Sequence, residues 1–379
     1  MPVEKIVTAG GAIEAILFQE EGAQPGQPDE KRNAQIDAVA DYLAAFVRGA
    51  SATLDLAVYD FRLDGSAADK VKSALRDRAG AGVAIRILFD SASAAGQGEE
   101  QGNDMTPGGT AEFLDQIRDV AQLKGITGLQ PRHPDKHALM HDKYIIRDAL
   151  SPAAAVLTGS SNFTNDAFGL QENNIAVLRS HDLASYYKTD FDNLWNAGEI
   201  LPSSGLRDTG TVSIGGVPVT VAFAPGEGQS ITREIVQAID AAEEKITVAS
   251  MLYSSGPILA ALSEAIDRGI TVEGVCDGTQ MEGVVEQWRQ SGIGEDKINT
   301  WEKVLGRLSA KPSIKYAPDV PHNFLHIKVL VADDTVVTGS FNFSNSARGN
   351  AENVLVIRDA SLAAGYRAFI QSLVARYRR

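Results

Sequence analysis

The chain has 379 residues, 44% hydrophobic and 22% charged, the balance of a globular protein and long enough for two domains. Its formal net charge of −14 argues against a broad nucleic-acid surface, because phosphates are met by Lys and Arg, but leaves room for a local basic cleft. No apolar run approaches the roughly 18 residues of a membrane span, and the N-terminal MPVEKIVTAGGAIEAILFQEEG lacks the apolar core of a signal peptide, so the chain reads as cytoplasmic as given; a secreted form already cleaved would read the same.

In chain order, AIEAILF (12–18) predicts a strand. After a loop rich in Gly, Pro and acids, Ile36, Val39, Leu43 and Phe46 recur at helical spacing and predict a helix over 33–48. TLDLAVYDF (53–61) predicts a strand, SAADKVKSALRDRAGAG a helix closing on Gly80 and Gly82, and VAIRILFD (83–90) a further strand. The second half repeats this order. VPVTVAF (217–223), ITVASMLYS (246–254) and ITVEGVCD (270–277) predict strands; EGQSITREIVQAIDAAEE and SGPILAALSEAIDRG predict the helices between them, the latter with Pro257 near its start and Gly269 at its end. The single cysteine, Cys276, permits no internal disulfide and reads as a small buried strand residue.

The matched runs GVAIRILFD and GITVEGVCD start at Gly82 and Gly269, 187 residues apart, His141 and His326 lie 185 apart, and the Gly-Ser pairs at Gly159 and Gly339 lie 180 apart. Offsets this steady across dissimilar sequence mark a duplication, and strands alternating with helices mark an α/β layered architecture in each half. The halves divide as 1–200 and 201–379, with a linker near 199–216, EILPSSGLRDTGTVSIGG. The stretches 91–136 and 278–321 match poorly; insertions of this kind form substrate walls or lids as readily as plain surface. The first has a helix-like AEFLDQIRDVAQL and runs into a basic stretch, Arg132, His133, Lys136, His137, Lys143 and Arg147. The second carries Trp288 and Trp301, which read as core packing ahead of lipid contact.

One phrase occurs twice. His141-Asp142-Lys143, with Asp148 five residues past the lysine, leads to Gly159-Ser160-Ser161-Asn162; His326-Ile327-Lys328, with Asp333 five residues on, leads to Gly339-Ser340-Phe341-Asn342. Each copy closes on an acid and an amide, Glu172-Asn173 and Glu352-Asn353. HDKYIIRD and HIKVLVAD are strand-like, so each histidine shares a face with its lysine, while Asp148 and Asp333 have the other parity and fall at the strand end, placed to tie down a turn. AAVLTGS and TVVTGS read as the returning strands of hairpins that bring Ser160 and Asn162, or Ser340 and Asn342, back beside the histidine. A lone HxK or GSxN is weak, but the joint pattern met twice is not.

Two facing halves would offer two each of imidazole, ammonium, hydroxyl and amide. Lysines and asparagines would clamp a phosphoryl group; one histidine would attack phosphorus, and the other would protonate the leaving oxygen and then activate water. Glu172 and Glu352 are the candidates to fix the histidine tautomers. A metal is the competing use, since His137 and His322 each precede a histidine of the phrase by four; a zinc pair at that spacing needs a helix, and these segments read as loop entering strand. The reading therefore holds no metal and no cofactor, with His137 and His322 anchoring loops.

At these residues the sequence resembles the phospholipase D superfamily, the HKD phosphodiesterases, whose signature is HxK(x)4D followed by GSxN. The resemblance implies two similar α/β/α sandwich lobes with mixed sheets, related by a pseudo-twofold, and one metal-independent site at their interface. It implies a phosphohistidine on His141, acid/base work by His326, and Glu172 and Glu352 as acidic partners. It favours a phospholipid head group as substrate, hydrolysed or transferred to an alcohol, by a monomer in transient contact with a membrane surface. A nuclease is the alternative, and a non-catalytic phosphate-binding scaffold a third.

Overall fold

The structure, a computed structural model, describes residues 3–22, 29–91, 109–117, 123–131, 138–200, 208–293, 295–315, 317 and 320–378. The first half runs β1 (Glu4–Thr8), β2 (Ile13–Phe18), α1 (Glu30–Arg48), β3 (Thr53–Val58), β4 (Phe61–Arg62), α2 (Gly65–Gly80), β5 (Ala84–Asp90), α3 (Thr110–Asp115), β6 (Leu123–Pro131), β7 (Lys143–Arg147), β8 (Ala155–Gly159), β9 (Phe163–Thr164), α4 (Asn165–Gly169), β10 (Asn173–Arg179), α5 (His181–Ala197) and β11 (Glu199–Ile200). The second runs β12 (Gly210–Ile214), β13 (Val217–Ala224), α6 (Gly228–Asp240), β14 (Lys245–Ser250), α7 (Gly256–Asp267), β15 (Thr271–Asp277), α8 (Gly278–Gln290), α9 (Glu295–Leu305), β16 (Leu308–Lys311), β17 (Lys328–Ala332), β18 (Thr335–Gly339), β19 (Glu352–Arg358) and α10 (Ala360–Tyr377).

Among the described residues one sheet has the order β1-β2-β10-β8-β7-β3-β5-β6-β11 and the other β12-β13-β19-β18-β17-β14-β15-β16. The orders match strand for strand, with β11 added at an edge. Both sheets are mixed in the same way: β3 and β14 pair antiparallel with β7 and β17 on one side, and parallel with β5 and β15 on the other. The parallel pairs are joined by α2 and α7, as a crossover requires. The protein is thus two similar α/β lobes.

Apolar stripes set the layers. Val39 and Leu43 of α1 and Val71 and Leu75 of α2 cover the outer face of the first sheet, and Ile231 and Ile235 of α6 and Leu259 and Leu262 of α7 cover that of the second. The inner faces share a single core in which α5 and α10 lie between the sheets. Tyr187 of α5 meets both lobes edge-on, with ring centroids 5.0 Å from Tyr144 and 5.0 Å from Phe223. Burying each such ring is worth about 2 to 3 kcal/mol, so the seam between the lobes is as apolar as a domain interior.

Several expectations need adjusting. The strand expected over 53–61 ends at Val58, although the Tyr59 amide still donates to the Asp142 carbonyl (3.0 Å) in register with the β3–β7 pairing, and the chain resumes as β4 against β9. The expected linker 199–216 holds β11 and all of β12, since Gly215 and Gly216, both at positive φ (57° and 86°), close a tight β12–β13 hairpin. The helix within AEFLDQIRDVAQL is confined to α3, and residues 118–122 and 201–207 lie outside the described ones. Trp288 and Trp301 are buried, Trp301 stacked on Tyr253 at 5.7 Å, and Cys276 is buried in β15. No helix among the described residues is long and apolar enough to cross a membrane.

Two glycines are required by close approach. Gly159 and Gly339 have φ of 146° and 148°, and a Cβ on either would stand 2.3 Å from a carbonyl oxygen of the next strand, that of Asn174 or Asn353. Gly339→Ala should therefore lower the unfolding free energy by about 3 kcal/mol or more. Urea denaturation measures this, and a loss under about 1 kcal/mol would show that β18 and β19 can part to admit a methyl group.

Candidate active site

Each histidine of the repeated phrase stands two residues ahead of a strand, on the same face as the lysine that opens it. The approach is pinned by carboxylates at the ends of β5 and β15: Asp90 accepts from the Met140 amide (2.8 Å) and Asp277 from the Leu325 amide (3.0 Å). Sequence reasoning did not single out these two acids, although the matched runs GVAIRILFD and GITVEGVCD both end in them. Main chain also crosses the seam here, with His141 N donating to Ala351 O (2.9 Å) and Ala351 N to Leu139 O (2.8 Å).

The histidines take their partners from the opposite lobe. His141 Nδ1 lies 2.8 Å from Glu352 Oε2, both side chains fully buried. A carboxylate can only accept, so Nδ1 carries the proton and Nε2 keeps its lone pair. His326 Nδ1 lies 3.1 Å from Asn173 Oδ1. The Asn173 amide is oriented by its own bonds, its oxygen accepting from Ser160 Oγ (2.8 Å) and its nitrogen donating to Ala167 O (3.2 Å), so His326 Nδ1 donates as well.

Glu172 is therefore not the partner of His326. Glu172 and Glu352 lie equally far behind their glycines, which made them a pair in sequence. Strand pairing sets a different register: Ile175 faces Gly159, whereas Val354 faces Gly339, so Asn173 occupies the place of Glu352. One extra residue in the turn around α4 produces the shift. Glu172 instead binds the wholly buried Lys311 Nζ (2.6 Å) and accepts from Tyr377 OH (2.6 Å), and Lys311 also meets Glu20 (3.0 Å). Two carboxylates offset the cost of burying that ammonium.

The other predicted residues fall into two groups. Lys143 and Lys328 are buried, and each donates to the carbonyl of its own histidine, at 2.7 and 2.6 Å. Lys143 also lies over the Tyr59 ring (4.9 Å), which meets His141 edge-on. Ser160 Oγ and Ser340 Oγ each accept from the amide of Asn174 or Asn353 (3.0 Å), bolting the turn to the next strand. Asn162 Oδ1 and Asn342 Oδ1 are buried atoms with no partner among the described residues, poised beside this turn. Asp148 and Asp333 sit at the far end of their strands. Asp148 accepts from the amides of Ser51, Ala52 and Thr53, and Asp333 from those of Glu243, Glu244 and Lys245. Burial would raise the Asp148 carboxyl, but these donors together outweigh it and hold it below the usual carboxylate range.

Asp142, between His141 and Lys143, points into the seam and was not singled out from sequence. It accepts from Asn353 Nδ2 (2.8 Å), whose Oδ1 takes the Thr158 hydroxyl (2.8 Å). Burial pushes its carboxyl up, the nearby Glu352 adds to this, and the Asn353 bond works against both. Of the expected basic stretch, Arg132, His133, Lys136 and His137 lie outside the described residues, and Arg147 leaves the site to cover Phe46 (4.8 Å). His322 stacks on Phe324 (4.9 Å), its ring Nε2 meets Ala317 O (3.1 Å) and its amide donates to Asp166 (3.1 Å), which fixes a loop. Among the described residues no group of three or more His, Cys, Asp or Glu side chains is arranged to hold a metal.

Comparison with known proteins agrees with this geometry. The family model described as "Cardiolipin synthase, PLD-like domain" matches residues 43–195 and 235–374, one stretch in each lobe. A phospholipase D of Rickettsia bellii (strain RML369-C) is 30% identical over 184 residues, 48% of this chain and 81% of that one. A mitochondrial cardiolipin hydrolase of Chlamydomonas reinhardtii is 25% identical over 199 residues, 49% of this chain and 74% of that one. The crystal structure of a phosphatidylserine synthase from Haemophilus influenzae Rd KW20 matches with a TM-score of 0.66, covering 100% of this chain and 88% of that one at 13% identity, a likeness of fold. Two similar lobes that exchange histidine partners across their seam fit a PLD-like domain present twice. The chain belongs to the phospholipase D superfamily.

The turn acids give a pH signature. The folded Asp148 titrates below its unfolded value, so its stabilisation is present above the ordinary carboxylate range, near pH 4, and is lost as pH falls through the lowered value. The Tm gap between the wild type and Asp148→Asn should stay level from about pH 8 to 5 and close below about pH 4. A gap still open at pH 2 would mean that the turn does not need the charge.

Proposed function

We propose that the protein is a phospholipase D-type phosphodiesterase that cleaves phospholipid head groups through a phosphohistidine on His141, with transfer to an alcohol as the alternative to hydrolysis. The observation that carries this is the unequal pairing of the two histidines, His141 with the Glu352 carboxylate and His326 with the Asn173 amide. His141 Nε2, with its lone pair kept by the bond at Nδ1, attacks phosphorus. The resulting phosphoimidazole is cationic, and Glu352 stabilises it. The Nδ1 of His326 is oriented by the neutral Asn173 amide, and its imidazolium gives the proton to the leaving oxygen as the P–O bond breaks. Neutral His326 then takes a proton from water or alcohol, whose oxygen attacks phosphorus, and the P–N bond breaks to restore His141.

Lys143, Lys328, Asn162 and Asn342 surround the site with donors for the nonbridging oxygens. These groups perform the chemistry without calling on a metal. Both half-sites lie in one chain, with lobes at 1–200 and 201–379, so a monomer suffices. The named activities of the relatives, phospholipase D and cardiolipin hydrolase, and the net charge of −14 support lipid over nucleic acid as the substrate.

Release of choline or ethanolamine from mixed micelles in EDTA, run beside cleavage of single-stranded and duplex DNA, tests the reading. Head-group release should persist in EDTA, and His141→Asn or His326→Asn should each lower kcat by about a thousandfold or more. With a p-nitrophenol leaving group, which needs no protonation, His326→Asn should accumulate acid-labile phosphate on His141. DNA cleavage without lipid cleavage would make the protein a nuclease, and inertness toward every phosphodiester would make it a scaffold.

A further inference from the structure

Two residues ahead of each histidine partner stands an amide: Asn350 before Glu352, and Gln171 before Asn173. Both residues are buried, 6% exposed in each case. Asn350 Nδ2 donates to Glu352 Oε1 (3.1 Å), while His141 meets Oε2, and Asn350 Oδ1 accepts from the Leu139 amide (3.0 Å). Gln171 Oε1 accepts from Asn173 Nδ2 (3.2 Å), and Gln171 Nε2 donates to the His322 carbonyl (3.4 Å). Leu139 lies two residues ahead of His141, and His322 four ahead of His326. Each amide therefore ties the partner of a histidine to the main chain that leads, in the opposite lobe, to that same histidine.

Main chain fixes the direction of every bond. The Leu139 N–H can only donate, so the Asn350 oxygen faces it and the Asn350 NH2 is left for the carboxylate. The His322 carbonyl can only accept, so the Gln171 NH2 faces it and the Gln171 oxygen is left for Asn173. The two amides hold equivalent places with opposite polarity. In one lobe an N–H is aimed at the carboxylate behind His141; in the other a C=O turns the Asn173 amide so that its own oxygen faces His326. Around His141 the ring of contacts is closed twice, since Ala351 N also donates to Leu139 O (2.8 Å).

We propose that Asn350 is a positioning residue for the attack on phosphorus, acting on His141 through Glu352. The proposal rests on the phosphodiesterase reading and adds a residue to its machinery. Without the Asn350 NH2, Glu352 Oε1 loses a donor in a buried place, and the carboxylate turns toward whatever donor remains. That turn carries Oε2 away from His141 Nδ1 and tilts the imidazole whose Nε2 must meet phosphorus. The loss falls on the rate of attack, which depends steeply on the alignment of the reacting atoms, and not on the binding of substrate.

The test measures kcat and KM for head-group release from mixed micelles and for bis(p-nitrophenyl) phosphate, a diester with no lipid part. Asn350→Leu, which keeps the size and removes the bonds, should lower kcat about thirtyfold or more and leave KM within about threefold. Asn350→Asp still accepts from the Leu139 amide, but it donates to Glu352 only while its facing oxygen carries a proton, and two carboxyl groups this close share one. Its kcat should stand within about threefold of the wild type near pH 5 and fall about tenfold below the wild type by pH 8, as that proton is lost. Asp142 and His141, titratable groups beside Glu352, are present in both proteins, so the difference between the profiles belongs to position 350. Tm is read at each assay pH, and if Asn350→Leu does not fold, the Asn350→Asp profile decides alone. Wild-type kcat in Asn350→Leu, a profile of Asn350→Asp parallel to the wild type's, or a kcat that falls only where the variant unfolds overturns the role of Asn350 and leaves the phosphodiesterase standing. A wild type inert toward both diesters and toward DNA overturns both.

Discussion

Each histidine takes its ring hydrogen bond from the opposite lobe, and the rest of the structure serves that exchange. The His141 imidazole and the Glu352 carboxylate have no exposed surface, and such a pair survives burial only when its hydrogen bond is well made. A well-made bond needs β19 of one lobe held in register against the approach to β7 of the other. The crossing main-chain bonds near Ala351, the serines that bolt the glycine turns and the acids at the ends of β5 and β15 each fix one coordinate of that placement. The shared core between the sheets then keeps water from competing for it.

The pseudo-twofold holds for the frame and fails for the chemistry. Thr158 bonds Asn353 and Asn174 bonds Thr338, the same contact made once in each direction. Yet Asn173 stands where the other lobe has Glu352, Asp142 where it has Ile327, and Leu129 where it has Lys311, as the strand pairings show. Each difference puts a charge in one lobe only.

Most of the fold and much of the site were legible in the sequence because they rest on local rules. Period-two parity placed His141 with Lys143 and set Asp148 and Asp333 apart, and the hairpin returned Ser160 and Ser340 as their spacing implied. The partner of His326 was not legible. The extra residue falls in a turn, where counting has no fixed reference, and only the pairing of β8 with β10 shows that Asn173 and not Glu172 faces the site. The same holds for Lys311, whose two carboxylates are contributed from sequence positions far away in the other lobe. The β12 strand was missed because its turn glycines read as linker.

The covalent joining of the halves has an evolutionary consequence. Were the site formed by two identical chains, every codon change would appear on both sides of the axis, and a carboxylate behind one histidine would be a carboxylate behind the other. The two histidines would then be forced to share one environment. In a single chain, Asn173 and Glu352 are separate genetic loci, and the surroundings of each histidine can be tuned by mutation without disturbing the mirror image.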